Sequence, residues 1–579
     1  MSSPNRDAQN DSPKDCFARA ALNEIPRILT LLDRNPHSPT YGCFDRNFWH
    51  YKIVDFPSGM SQEFVWPLAL AYSLDIPNNP YYQQAAIRNW VAAGILFAAR
   101  SAHGDASCDD YFPFEKAGGA AAFSLLACVE SYMLLDLDDA EMRVFFERRA
   151  DWLANHHESG QLTNHQALIV LCLELIARLA KTSKWARAQA TRLDRVFAWQ
   201  NEEGWFAEYE GCDPGYHSLT IWCLAQLVEL DATDDERLRP ALTRAIELAR
   251  NFIHPDGTYG GEYGSRNTYN FFPHGFELAG RWMPTALEVN DRFATGLANG
   301  LGPCYSDDHI IGHHTWNYLL TWQDFVGDRH SPDDRPIEDS TARPIGRVHL
   351  PNAGLLVDRR ATIPDLPDAG GNAEASPHAP GKANVELYVA LNKGGTFKLF
   401  RDGELLVSDT QISLLVEDGG KLRNAVGHLV DTYETEVSDR EITIRGRLGW
   451  AKQTQMTPLK LMLLRAVMLT GGRFFPNLIR KILQKILIVG KDTTPYTFVR
   501  RFRWDNYYWT VEDTLSAPTW RNVRSADIGG DRTSIYVVMS RTFQRHQLEP
   551  AFDLTEILHQ LADGQPLEVT RRFDKSFTR

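Results

Sequence analysis

Two short blocks of this chain carry side chains fit for proton transfer, and both fall where an apolar helical run begins. The first is Leu162-Thr163-Asn164-His165-Gln166, followed by Ala167-Leu-Ile-Val-Leu-Cys-Leu; the second is Asp213-Pro214-Gly215-Tyr216-His217, followed by Ser-Leu-Thr-Ile-Trp-Cys-Leu-Ala-Gln-Leu227. Asp213 suits an N-cap and Pro214 the first helical position, which puts the Tyr216 phenol in the first turn. There it faces the positive end of the helix dipole, a setting expected to favour a phenolate or a bound carboxylate. Thr163 with Gln166 reads as a capping box, placing Asn164 and His165 in a first turn as well. A carboxamide, an imidazole and a phenol are the groups needed to neutralise a carboxylate and to take or give a proton.

Similar starts recur. Glu63 and Glu115 each stand at or just before an apolar helical run, Phe272-Pro273-His274 repeats the proline-led start, and His313-His314 open Thr-Trp-Asn-Tyr-Leu-Leu. Glu63, Glu115, Asn164, Tyr216, His274 and His313 lie about 50 residues apart, with the last two intervals, 58 and 39, irregular. A period of that length predicts a ring of helical hairpins whose inner helices run parallel and whose starts gather at one mouth.

The elements that would hold such a mouth fill the first half of the chain. With 579 residues the sequence is too long for one core and predicts two large domains. Residues 1–20, polar and rich in Pro, Ser and Asp, are expected to be disordered; 21–325 show helical periodicity; 326–345 read as a linker. From 346 to 579 short β-rich runs such as Val385-Glu-Leu-Tyr-Val-Ala-Leu between turn signals predict an antiparallel β-sandwich, with 364–381 as a loop within it. The fold class expected is thus α then β, an (α/α) toroid followed by a sandwich.

One stretch breaks the β pattern: residues 458–503 hold ten Lys or Arg against the single acid Asp492, in a chain whose formal net charge is −13. Its apolar runs are too short to span a bilayer but suit helices lying on an anionic membrane surface, or a basic face for an acidic polysaccharide. The overall acidity excludes a general nucleic-acid binder. Eight cysteines without a CxxC pair, several inside apolar helical runs, predict reduced thiols, and an N-terminus lacking an apolar h-region predicts a cytoplasmic protein, peripheral on the inner membrane if the basic stretch docks there.

The block Gly204-Trp205-Phe-Ala-Glu-(x)6-Gly215-Tyr216-His217 resembles the Tyr-His motif of heparinase II/III-type polysaccharide lyases and related alginate lyases, and Thr163-Asn164-His165 resembles their Asn-His motif. Leu387-Tyr-Val-Ala-Leu-Asn-Lys-Gly-Gly-Thr-Phe resembles the opening of the sandwich in that family. The resemblance implies a lyase that abstracts the C5 proton of a uronate and expels the 4-linked sugar, with Tyr216, Asn164 and His165 catalytic. His217, His274, Arg266, Glu115 and Trp205 are the expected substrate-binding residues; no cofactor is expected and no metal is assigned. Two other outcomes share the same frame: a uronate C5-epimerase, and an inert carbohydrate-binding or exopolysaccharide-assembly protein. Glu63, Glu115, Glu208 and Asp213 would supply acids to a hydrolase at the same mouth.

Overall fold

The computed structural model describes residues 12–209, 211–233, 235–305, 309–327, 329, 343–362, 383–429, 432–451, 457–484, 492–529 and 542–574. The first half is a closed ring. Six inner helices, Val65–Ser73, Gly118–Leu134, Thr163–Ala180, Pro214–Glu229, Pro273–Gly280 and His309–Gln323, each pack against the next, and the last packs against the first. Outside them lie Ala85–Ser101, Ala140–Asn155, Ala186–Ala198, Leu238–Ala249, Pro284–Ala298 and Pro13–Leu31, the N-terminal helix covering the last inner one. Burial explains the division. Gly118–Leu134 is buried without a break from Gly118 to Val129, whereas the outer helix Ala186–Ala198 buries only Arg192, Leu193 and Val196. A helix with no polar face belongs inside; one with an apolar stripe belongs at the surface.

Tryptophans from the inner helices meet inside the ring. Trp66 and Trp316 stack at 4.4 Å, and Trp222, from a third inner helix, lies tilted against them at 4.7 and 6.2 Å. One expectation about the N-terminus is corrected: the helix starts at Pro13, with Cys16, Phe17 and Ala18 buried, because its apolar side covers the ring. All eight cysteines are free thiols, seven of them buried.

The last ring helix ends at Gln323 and the first strand begins at Gly346; most of 326–345, and the expected loop 364–381, lie outside the described residues. Five strands, Gly346–Leu350, Leu355–Arg360, Val385–Ala390, Thr396–Arg401 and Glu404–Asp409, form one antiparallel sheet in chain order. A second antiparallel sheet packs against it, built around Ile412–Asp418, Glu441–Trp450, Thr493–Trp504 and Trp509–Ser516. The first sheet is buried on both faces: Leu387 and Val389 enter the sandwich core, while Tyr388 and Ala390 join the core of the ring. Period-2 alternation therefore separates two apolar sets rather than apolar from polar.

The basic stretch is only partly helical. Helices Pro458–Thr470 and Pro476–Gln484 form a hairpin, but 493–504 is a sandwich strand, so Arg500, Arg501 and Arg503 belong to the sheet. Lys485 and Lys491 lie outside the described residues.

Candidate active site

Three successive inner helices each receive a carboxylate at their N-terminus. Glu158 Oε1 accepts from Gly118 N–H at 3.1 Å, Glu208 Oε1 from Asn164 N–H at 2.9 Å, and Asp213 Oδ1 from Tyr216 N–H at 3.1 Å. Each carboxylate satisfies donors that a helix start leaves open and sits at the positive end of a dipole. The capping box expected at Thr163 does not form. Thr163 Oγ1 donates to Ala207 O at 2.6 Å and Gln166 is engaged by Arg192, because Glu208, from the next hairpin, already supplies the cap.

Glu208 joins the two halves of the expected site. Its carboxyl touches Asn164, and its charge acts on both His165 and Tyr216. Fully buried, it is pushed up to about 7 by burial, against the pull of its hydrogen bonds from Asn164. Asp213 also rises with burial, although Thr268 and the amides of Tyr216 and Arg266 oppose the change. Burial likewise raises the Tyr216 phenol, only partly countered by Arg266. The expected phenolate is thereby corrected: at this helix start desolvation outweighs the dipole, and the hydroxyl keeps its proton.

His165 lies across the neighbouring helix start. A Cβ at Gly119 would come within 2.6 Å of its ring, so glycine is needed there. His165 Nδ1 is 2.5 Å from Glu158 Oε2. Burial pushes Glu158 up, yet His165 and Arg480 together hold it well below the usual carboxylate range. Beside a carboxylate held ionised, Nδ1 is the donor of that hydrogen bond. Arg480, from the sandwich-domain hairpin, completes the group: Nη1 pairs with Glu158, and Nη2 with Glu115 Oε1 at 3.0 Å. Glu115 Oε2 is fixed by the amides of Asp110 and Tyr111 at 3.2 and 2.8 Å.

Arg266 is held differently. Its backbone N–H donates to Asp213 Oδ2 at 2.9 Å, and its guanidinium lies over the Tyr209 ring at 3.9 Å. The side chain is buried and bonds Tyr209, yet among the described residues Nε and Nη1 have no hydrogen-bond partner. Burial favours its neutral form but is outweighed by Tyr209, Tyr216 and Asp213. Tyr209 and Asn267 beside it take left-handed backbone conformations, φ 60° and 54°, which side-chain-bearing residues adopt at a cost.

Two expected binders stand elsewhere. His217 is turned to the outer helix, its Nε2 2.8 Å from Ala245 O, and burial lowers it to about 4. Successive helical residues point about 100° apart, so Tyr216 and His217 cannot both face the mouth. His274 accepts from Trp222 Nε1 at 3.0 Å and meets Asp324 at 2.9 Å, spending both ring nitrogens inside the ring. Its helix starts deep because the preceding segment descends beside the Tyr216 helix: Phe272 N–H reaches Ser218 Oγ at 3.3 Å, and Gly275 lies so near Trp222 that a Cβ would meet its backbone at 2.6 Å. That descent accounts for the irregular interval of 58. Glu63 is buried against His313 Nδ1 at 2.6 Å and also accepts from Trp316. Trp205 is half-buried in the loop before Asp213, its Asn201-bonded carbonyl closing a turn. Among the described residues no three His, Cys, Asp or Glu side chains gather so as to hold a metal ion.

Sequence reasoning missed Glu158 and Arg480. Glu158 left a local signal, an acid seven residues before His165; Arg480 stood out only as one cation of the basic stretch, and nothing marked its pairing with Glu158 and Glu115, more than 300 residues away.

No family model matches the chain, and no curated protein is similar to it. Among solved structures it is similar to unsaturated glucuronyl hydrolase from Streptococcus agalactiae: 10% identity and a TM-score of 0.35 over 56% of this chain and 96% of that one, in a form complexed with dGlcA-GalNAc6S. A second structure of the hydrolase gives the same identity and score over 54% and 91%. At that score the likeness carries no weight for the chemistry.

Proposed function

We propose that this chain is a polysaccharide lyase acting on an acidic, uronate-containing polysaccharide by C5 proton abstraction and β-elimination. The observation that carries the reading is Arg266, a buried guanidinium with two nitrogens unpartnered among the described residues, beside a half-buried phenol whose pKa is raised by burial. A buried, fork-shaped cation with Nε and Nη1 left open matches a planar carboxylate. Arg266 and Asn164 bind the C6 carboxylate, and Glu208, protonated over part of the neutral range, adds a hydrogen bond rather than a repelling charge. His165 Nε2, with Nδ1 fixed by Glu158, accepts the C5 proton. The electron pair left on C5 forms the C4–C5 double bond, the C4–O bond breaks, and Tyr216 gives its proton to the departing oxygen. The resemblance of the Asn164-His165 and Tyr216-His217 blocks to heparinase II/III-type lyases supports the same roles.

Incubation of the protein with a panel of acidic polysaccharides, followed by ultraviolet absorbance of the unsaturated uronate, tests this. Growth of the signal is expected. Uptake of solvent deuterium at C5 without absorbance would replace the lyase by an epimerase, and neither change on any uronate polymer would end the reading.

A further inference from the structure

The hairpin from Pro458 to Gln484 has two unlike sides. One grips the mouth of the ring: Arg480 pairs with Glu115 and Glu158, Arg465 with Asp55, and Asn477 Nδ2 donates to His157 O at 3.2 Å. The other is apolar and open to water, with Leu459 73%, Leu463 63%, Phe474 65% and Phe475 65% exposed. In the helix Pro458–Thr470 only Met468 is buried, although Leu459, Leu461, Met462, Leu463, Val467 and Leu469 leave it almost no polar face. A helix apolar all round has a place in a core or in lipid, and the described residues supply no core for it.

Charge selects the occupant. Residues 457–484 contain five Lys or Arg and no acid, within a chain of net charge −13. Arg480 and Arg465 are spent on the ring, whereas Arg473 and Lys481 are exposed beside the apolar residues and make no ion pair among the described residues. A second copy of the chain fits badly, since a twofold contact through this face would set Arg473 and Lys481 against their own copies. Among the described residues no helix is long and apolar enough to cross a membrane, so the hairpin can lie on a bilayer but not span it.

We infer that this face docks on an anionic lipid bilayer, with Phe474, Phe475, Leu459 and Leu463 entering the interface and Arg473 and Lys481 meeting headgroup phosphates. Because Arg480 ties the same hairpin to Glu115 and Glu158, docking would bring the mouth of the ring close to the lipid surface.

Cosedimentation of the full chain with phosphatidylcholine vesicles, with and without phosphatidylglycerol, tests the inference. Binding is expected only with the anionic lipid and should weaken with salt. It should fall by roughly tenfold or more in a Phe474→Ser, Phe475→Ser variant and in an Arg473→Glu, Lys481→Glu variant, both keeping the wild-type thermal midpoint. No binding to anionic vesicles, equal binding to neutral ones, or full binding by either variant would overturn it. So would a concentration-dependent dimer, seen by size-exclusion chromatography, that the same substitutions dissolve.

Discussion

Two buried charge clusters in this molecule are built on opposite plans. In the sandwich, Arg500 is spent completely: Nε and Nη2 bond Asp513 at 2.6 and 3.1 Å, Nη1 and Nη2 bond Asp409 at 3.0 and 3.3 Å, and Nη1 also reaches Gly395 O at 2.9 Å. Arg571 bridges the same two aspartates at 2.7 and 2.8 Å, so two cations meet two anions. At the ring's mouth, Arg266 is also buried but, among the described residues, keeps Nε and Nη1 unpartnered. Leaving a buried donor unmet costs on the order of 1–3 kcal/mol, more when it is charged. We read the sandwich cluster, whose cations and anions meet one another with Arg571 Nε left over, as holding the fold, and Arg266 as the group that the proposed ligand would engage.

The comparison breaks first at Arg500. Arg500→Leu leaves Arg571 alone against two buried aspartates and should cost about 3–5 kcal/mol of stability in denaturant unfolding. A loss below about 1 kcal/mol would mean the cluster is no keystone. At the mouth the large effect should fall on chemistry instead. Tyr216→Phe removes only the proton-bearing hydroxyl and should slow elimination by about 10²–10⁴-fold with the thermal midpoint kept; unchanged turnover would assign the leaving-group proton elsewhere.

A smaller effect concerns Glu208. Its folded pKa, about 7, lies above the ordinary value of 4.5, so the folded state holds its proton more tightly than the unfolded chain does. The stability this contributes is fully present below about 4.5 and is lost as pH rises through about 7. Glu208→Gln, which keeps the shape and no longer titrates, should therefore flatten the fall in stability across that window. Glu130, raised to about 7 by burial, keeps part of the slope. An unaltered pH profile in the variant would show that Glu208 is not the strained acid.

Much of the mouth was legible because helix starts carry local signals. Asp213-Pro214 announces the turn that holds Tyr216, and the Asp213 cap is present at 3.1 Å. The ring followed from spacing, and the sandwich from its short β runs. What spacing could not give was direction. Tyr216 and His217 are neighbours in sequence, yet one faces the mouth and the other an outer helix; His274 opens a helix, but one lowered into the ring by the segment before it. Nor could the sequence show partners from afar: Glu208 displaces the local Thr163 cap, and Arg480 reaches Glu158 from another domain. The basic stretch read as one cationic unit because composition is blind to burial, whereas Arg500 is sealed in the sandwich and Arg480 in the mouth.

The claim that the mouth's open guanidinium serves a uronate rather than the fold is tested most directly by Arg266→Leu, assayed beside the wild type for unsaturated uronate formation by ultraviolet absorbance. The wild type should generate the signal, and the variant, folded and with its thermal midpoint kept or raised, should lose it by about a hundredfold or more. A variant that turns over at the wild-type rate would contradict the account.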